Sequence, residues 1–244
     1  MTTEKLLVTK SNNLVEAGYK LTLNEQRLVL MMISQLDGRK PIPKNGDFTI
    51  TANSFAEAFD ISVKQSYEIL DEAASRLYER DIKTFDKKAK TRGRFRWVDG
   101  VKYWDGEGKV TLSISRHIAP YLSLLHQQFT TYDLKQVTKL NSSYSIRFYE
   151  LLIQFLKTGE RFISLEKVRA LFELTTEYPR FYDFKRRILK PSIDEINKHT
   201  DLVVEWDVKK KGRTITGLVF IFEKKIASSE SRCLHTKDMF EDAL

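Results

Sequence analysis

The stretch RFYDFKRRILKPSIDEINKH, Arg180–His199, decides the reading of the fold. At 100° per residue Phe181, Phe184, Ile188, Leu189 and Ile196 gather on one side. Arg186, Arg187, Lys190 and Asn197 gather on the other, with Arg180 at the margin. The spacing predicts a helix with one packing face and one cationic face. Between Arg180 and Lys190, with Lys185 included, five basic residues stand against one acid, Asp183. Pro191 has no N–H to give and its ring crowds the preceding turn, so a kink or a break is expected there.

What surrounds this helix has a recognisable order. Before it come a helix over Ser142–Lys157, a strand-like Phe162–Ser164 and a short helix over Leu165–Phe172. On the first of these Tyr144, Phe148, Leu151, Leu152 and Phe155 form an apolar face. After it come strands Leu202–Lys209 and Thr214–Glu223, joined by a turn through Lys209, Lys210, Lys211, Gly212 and Arg213. Helix, short helix, longer helix and hairpin make a winged helix. The first half repeats the order. Thr22–Asp37 starts on a capping box, Thr22 with Glu25. Phe48–Thr51, Asn53–Phe59 and Val63–Tyr78 follow, then strands at Asp81–Asp86, Arg94–Tyr103 and Lys109–Ser115. The fold class expected is α+β, two tandem winged-helix domains related by internal duplication. Their equivalent elements lie about 110–120 residues apart. The domains are residues 1–130 and 131–225, with a polar tail over 226–244. A pair of unrelated α+β domains is the competing architecture.

Composition narrows the function. The 244 residues include 41% hydrophobic side chains, enough for a core and against global disorder. Cys233 stands alone, so no intramolecular disulfide can form. The longest apolar run, Leu28–Ile33, is far short of a membrane span, and no signal-type segment follows Met1. A cytoplasmic chain is expected. No phosphate-cradling G-x-x-x-x-G-K-[ST] and no G-x-G-x-x-G occurs, and His117, His126, His199 and His235 make no metal pair. The expectation is a protein with no enzymatic chemistry, no metal and no cofactor.

The charge points to a polyanion. Forty-one Lys and Arg against 33 Asp and Glu give +8, split as +4 on each side of Leu125. Double-stranded DNA is the partner expected. In the second half Arg180, Lys185, Arg186, Arg187, Lys190 and Asn197 are candidate contacts on the helix. Lys209, Lys210, Lys211 and Arg213 are candidates on the wing. In the first half Val63, Tyr67, Leu70, Ala74 and Leu77 are assigned inward, and Gln65, Glu68, Glu72, Ser75 and Arg76 outward. Two carboxylates there would meet phosphates, so only Gln65 and Arg76 are candidates on this helix. The span Lys83–Lys102 carries +6 and supplies Lys88, Lys90, Arg92 and Arg94 from a basic loop leading into a strand. A solvated basic surface is the competing reading for each cluster.

Ser142–Leu156 (SSYSIRFYELLIQFL), Tyr182–Asn197 (YDFKRRILKPSIDEIN), Leu7–Ala17 (LVTKSNNLVEA) and the helix around Asn24–Arg27 resemble the iteron-binding plasmid replication initiators, the RepE-like Rep proteins. The likeness covers about residues 6–225. It implies two winged-helix domains and a monomer that binds direct repeats, the iterons, at a plasmid origin. It further implies recruitment of host DnaA and the replicative helicase, contact with chaperones, and a homodimer in equilibrium with the monomer. That dimer, joined through the first domain, would bind an operator inverted repeat and repress its own promoter. Arg186, Arg187 and Lys190 would be principal DNA contacts. Two other functions stand beside it: a dimeric winged-helix repressor with no replication role, and an enzyme or scaffold whose basic surface binds acidic protein.

Overall fold

A computed structural model describes residues 5–86 and 90–225. β1 (Leu7–Ser11) and α1 (Asn12–Val15) lead into the first winged helix: α2 (Leu23–Ser34), β2 (Asp47–Thr51), α3 (Ala52–Phe59) and α4 (Val63–Tyr78). The hairpin β3 (Asp81–Asp86) and β4 (Thr91–Arg96) follows, then β5 (Val98–Trp104) and β6 (Lys109–Ile114). β7 (Phe129–Asp133) returns to pair antiparallel with β1, Leu7 opposite Asp133. The second winged helix holds α5 (Ser143–Ile153), β8 (Glu160–Ser164), α6 (Leu165–Leu171) and α7 (Phe181–Phe184). A π-helical segment, Lys185–Leu189, joins α7 to α8 (Lys190–His199), and β9 (Leu202–Lys211) and β10 (Thr214–Lys224) close the domain. The three-stranded sheets, β2-β6-β5 and β8-β10-β9, each place the strand that precedes the short helix against the last strand of the closing hairpin. Two winged helices therefore stand where the helix and hairpin order put them.

Local chemistry sets several boundaries. The Thr22 hydroxyl accepts from the Glu25 N–H, and the Glu25 carboxylate accepts from the Thr22 N–H at 2.9 Å. Such a cap stabilises a helix start by about 1 kcal/mol. Ser62 and Gln65 repeat the device on α4. β9 and β10 run through to Lys211 and Thr214, so the wing turn is only Gly212 and Arg213, with Gly212 at φ +59°.

Several expectations need correction. The single strand over Arg94–Tyr103 is two strands, because Trp97 turns fully into the core; β4 pairs with β3, and β5 with β6. The basic loop before it is strand from Thr91 onward. On α4, Val63 and Tyr67 lie exposed, while Ser66, Leu70, Ala73, Ala74 and Leu77 are buried. The Tyr67 ring instead leaves no room for a side chain at Gly108 in the first wing. On α5 burial extends beyond the apolar face, since Ser145 to Ile153 are all buried, Arg147 and Glu150 included.

Pro191 neither breaks the helix nor splits it. The Lys190 N–H reaches back five residues to the Lys185 carbonyl, and the chain stays helical from 181 to 199. The wider turn takes up one extra residue and makes room for a proline ring. Phe184, Ile188, Leu189, Ser192, Ile193 and Ile196 are buried along one stripe of this continuous helix.

The domains are joined by residues 10–20, which run between them. The Lys10 ammonium meets Glu150 Oε1 at 2.6 Å with both side chains fully buried, and the Tyr132 hydroxyl donates to the same oxygen at 2.7 Å. Burial, then the Glu150 charge, hold the Tyr132 phenol far above its usual range, so it remains a donor. Arg147 donates to the carbonyls of Val15 at 3.1 Å and Ala17 at 2.8 Å, and lies 3.8 Å over the Tyr19 ring. Glu16 accepts from Arg161 at 2.8 Å and also from Lys167. Gly18 exchanges backbone bonds with Lys83 at 2.9 and 2.8 Å; a Cβ there would sit 2.9 Å from the Ala170 carbonyl. Lys83 itself pairs with Glu173 across the interface at 2.8 Å.

Candidate nucleic-acid interface

The segment 180–190 presents its cations as the amphipathic reading requires. Phe184, Ile188 and Leu189 anchor it to the core, and Arg180, Lys185, Arg186, Arg187 and Lys190 are all exposed. Lys185, Arg186 and Arg187 stand exposed in succession between the buried Phe184 and Ile188. Arg186 lies 3.9 Å from Asp183, at the limit of an ion pair, with its guanidinium 5.6 Å from the Tyr182 ring centroid. Lys190 pairs with Asp194 at 2.8 Å, one turn on, where both side chains are mostly in water and the pair is weak. The Lys185 ammonium sits 5.2 Å over Trp206. Arg180 and Arg187 have no acidic partner among the described residues.

Asn197 is a correction. Its helical phase puts it on the outward face, but its Oδ1 accepts from the Val204 N–H at 2.7 Å and its Nδ2 donates to the Val204 carbonyl at 2.9 Å. Both ends of the amide are spent tying α8 to the start of β9. The side chain therefore positions the wing and does not face a groove.

On the wing, Lys209, Lys210, Lys211 and Arg213 are exposed. Lys209 sits 5.4 Å over Phe162, which packs against Gly217 where β10 bulges. The helix and the wing thus offer cations from two directions, the arrangement that straddles a phosphate backbone.

The first domain is differently equipped. The Gln65 amide oxygen accepts from the Ser62 hydroxyl at 3.0 Å, and Arg76 pairs with Glu72 at 2.6 Å. With Glu68 and Asp71 also exposed, α4 offers no unopposed cation beyond Lys64 at its start. Arg92, Arg94 and Arg96 alternate along one face of β4, but Arg94 is held by Asp81, and Arg96 by Glu79 at 2.9 Å and Asp81 at 3.4 Å. Lys90, at φ +53°, and Arg92 are exposed ahead of them. Lys88 lies outside the described residues. A phosphate would have to compete with Asp81 and Glu79 for two of these arginines, while Lys90 and Arg92 have no acidic partner among the described residues.

Two sets of residues escaped the sequence reading. Tyr182, two-thirds exposed, stands out of phase with the apolar face and beside Arg186; that phase was a usable signal. Of the buried charges Lys10, Arg147, Glu150 and Arg161, only Arg147 and Glu150 carried a weaker one, as ionisable residues inside an apolar helix, and nothing in the sequence pairs the four. Among the described residues no helix is long and apolar enough to cross a membrane.

Residues 7–153 match the family described as initiator replication protein, WH1, and residues 164–222 that described as initiator Rep protein, WH2. The chain is 28% identical over 226 residues to a replication initiation protein of Escherichia coli, covering 90% of this chain and 70% of that one. To the PI protein of Escherichia coli it is 26% identical over 253 residues, covering 90% and 83%. The crystal structure of Pi initiator protein in complex with iteron DNA matches at a TM-score of 0.80 and 25% identity, over 92% of this chain and 99% of that one.

Proposed function

The chain belongs to the initiator replication protein family and is a plasmid replication initiator, and we propose that it acts by gripping direct repeats at its origin as a monomer. The second domain reads base edges from the 180–190 segment and holds phosphates with its wing. The first domain adds phosphate contacts from the β3–β4 hairpin. The observation that carries this is the exposed row Arg180, Lys185, Arg186 and Arg187, set on a rigid helix in a fold that matches an initiator bound to iterons. An Arg fork can take guanine O6 and N7 together.

In this proposal the protein has no catalytic chemistry of its own and works in the cytoplasm. It delivers the opened origin to host DnaA and the replicative helicase, with chaperones governing a dimer that represses its own promoter. The test is binding to tandem repeats flanking the coding sequence. Arg186→Ala or Arg187→Ala should each cost about 1–3 kcal/mol and relax the sequence preference at one position. Unchanged affinity and preference in both variants would overturn the assignment. Failure to maintain an origin plasmid when supplied in trans, with operator binding intact, would favour a repressor instead.

A further inference from the structure

The two sheets hold equivalent places in the duplicated fold, and their outer faces differ. Side chains alternate across a strand, so register states what each face carries. On the first sheet Thr49, Lys102, Trp104, Lys109 and Thr111 share the outer face. That face is bonded to itself: the Thr49 and Thr111 hydroxyls meet at 2.8 Å, and the Trp104 indole N–H donates to Thr111 at 3.0 Å. On the second sheet the outer face carries an apolar strip, the half-exposed Phe162 opposite Val219, with Ile221 beyond. Past Ile221 the strip runs into a groove of about 510 Å³ walled by Leu156 and Gly159, with Lys157 at its rim and Lys224 spent on Asp201 at 3.1 Å. Carboxylates flank the strip. Glu160 and Glu205 lie opposite Ile221, Asp207 lies opposite Val219, and Glu223 follows on the same face. None of the four has an ion-pair partner among the described residues. In a chain of +8 they oppose the overall charge and would repel a phosphate backbone. Cations on the strands of this face begin only at Lys209, where the wing starts. The root of the sheet therefore suits a protein surface that brings an apolar side chain among unpaired cations.

The chain carries such a surface itself, in the first domain. Leu124 is more than half exposed and holds a left-handed backbone, φ +53°, which costs a leucine energy. The Leu125 N–H donates to the Gly38 carbonyl at 2.8 Å, which sets Leu124 beside the loop between α2 and β2. That loop exposes Arg39, Lys40 and Lys44. Lys40 pairs with Asp37 at 3.2 Å, and Arg39 and Lys44 have no acidic partner among the described residues. Copies bound to direct repeats are related head to tail, so a contact between them joins two different surfaces that complement each other. We propose that the outer face of the second-domain sheet receives a second copy of this chain, with Leu124 of that copy seated on the Phe162–Val219–Ile221 strip and Arg39 and Lys44 set against the carboxylates around it. The inference rests on the direct-repeat reading above. Each copy owns one surface of each kind, so the contact repeats along a row of sites and makes their filling cooperative.

The experiment titrates the full chain onto duplexes with one repeat and with two. Cooperativity is read as the ratio of the two affinities per repeat, so a general change in DNA affinity cancels. The second repeat should fill about tenfold more tightly than the first. Inserting about five base pairs between the repeats, half a turn of the duplex, should abolish the gain. Glu205→Lys with Asp207→Lys should abolish it, and so should Arg39→Glu with Lys44→Glu. All four changes in one chain should restore it, because the reversed charges again face their opposites. Leu124→Ser should abolish it with no change of charge. A second arm needs no DNA: the full chain with p-benzoylphenylalanine at position 124, irradiated at high concentration, should cross-link to a second copy at peptides carrying Phe162 or Val219. No cooperativity in the parent, cooperativity that survives either pair of charge reversals, a fourfold variant no better than the pairs, or intermolecular cross-links that avoid this sheet would each overturn the contact. If tandem repeats bind no better than random DNA while the cross-link forms at the sheet, the direct-repeat reading falls and the contact stands.

Discussion

Glu150→Gln should be among the most destabilising single changes in the chain for its size. The substitution keeps the shape of the side chain and lets Tyr132 go on donating to an oxygen. It removes the charge that lies 2.6 Å from the Lys10 ammonium, which has no solvent exposure at all. Removing one partner of a buried ion pair costs about 3–5 kcal/mol, because the other charge is left in a medium of low polarisability. For a chain of this length 1 kcal/mol moves the melting temperature by about 2–4 °C. A loss near 4 kcal/mol is then a fall of about 8–16 °C. Urea unfolding followed by tryptophan fluorescence suits the measurement, since Trp97 is fully buried and meets the Tyr19 ring edge-on at 5.0 Å in the same interface. Lys10→Met in the Glu150→Gln background should recover most of the loss, since the orphaned charge goes with it. A single-variant cost under about 1 kcal/mol, or a double variant as unstable as the two singles added, would refute the argument that the uncompensated ammonium is what destabilises.

Further outcomes follow from the same geometry. Asn197→Ala leaves the Val204 N–H and carbonyl without their side-chain partner, so stability should fall by about 1–3 kcal/mol in chemical denaturation, with base preference on tandem repeats unchanged. Lys210→Ala should weaken all DNA sequences alike and lower the slope of log affinity against log salt by about one, read from titrations at several salt concentrations. Glu16 is pushed up by burial, but Lys167 and Arg161 outweigh this and its carboxyl lies below the usual carboxylate range. A group so lowered contributes stability that is present above its unfolded pKa and is lost as pH falls through the folded one. Glu16→Gln should accordingly melt lower than the parent near neutral pH, with the gap closing below about pH 4; a gap that stays constant with pH would contradict the pairing.

The order of helices, the duplication and the cationic row at 180–190 were legible in the sequence, because each rests on local rules. A 3.6-residue period, a Thr22–Glu25 cap and a glycine turn act over a few residues and need no partner from far along the chain. The tertiary structure decided what non-local pairing governs. Arg147 and Glu150 sit on a helix that is read as one-faced, yet residues more than a hundred positions earlier cover its other side, where Lys10 pairs with Glu150 and the Val15 and Ala17 carbonyls accept from Arg147. Arg94 carries the same charge as Arg187, but the register of β4 on β3 places it beside Asp81. Asn197 has the right phase for a groove and is taken by the backbone of β9. A side chain's type is fixed in the sequence, but whether its hydrogen bonds and charge remain available is settled by what the fold brings within 3–4 Å of it.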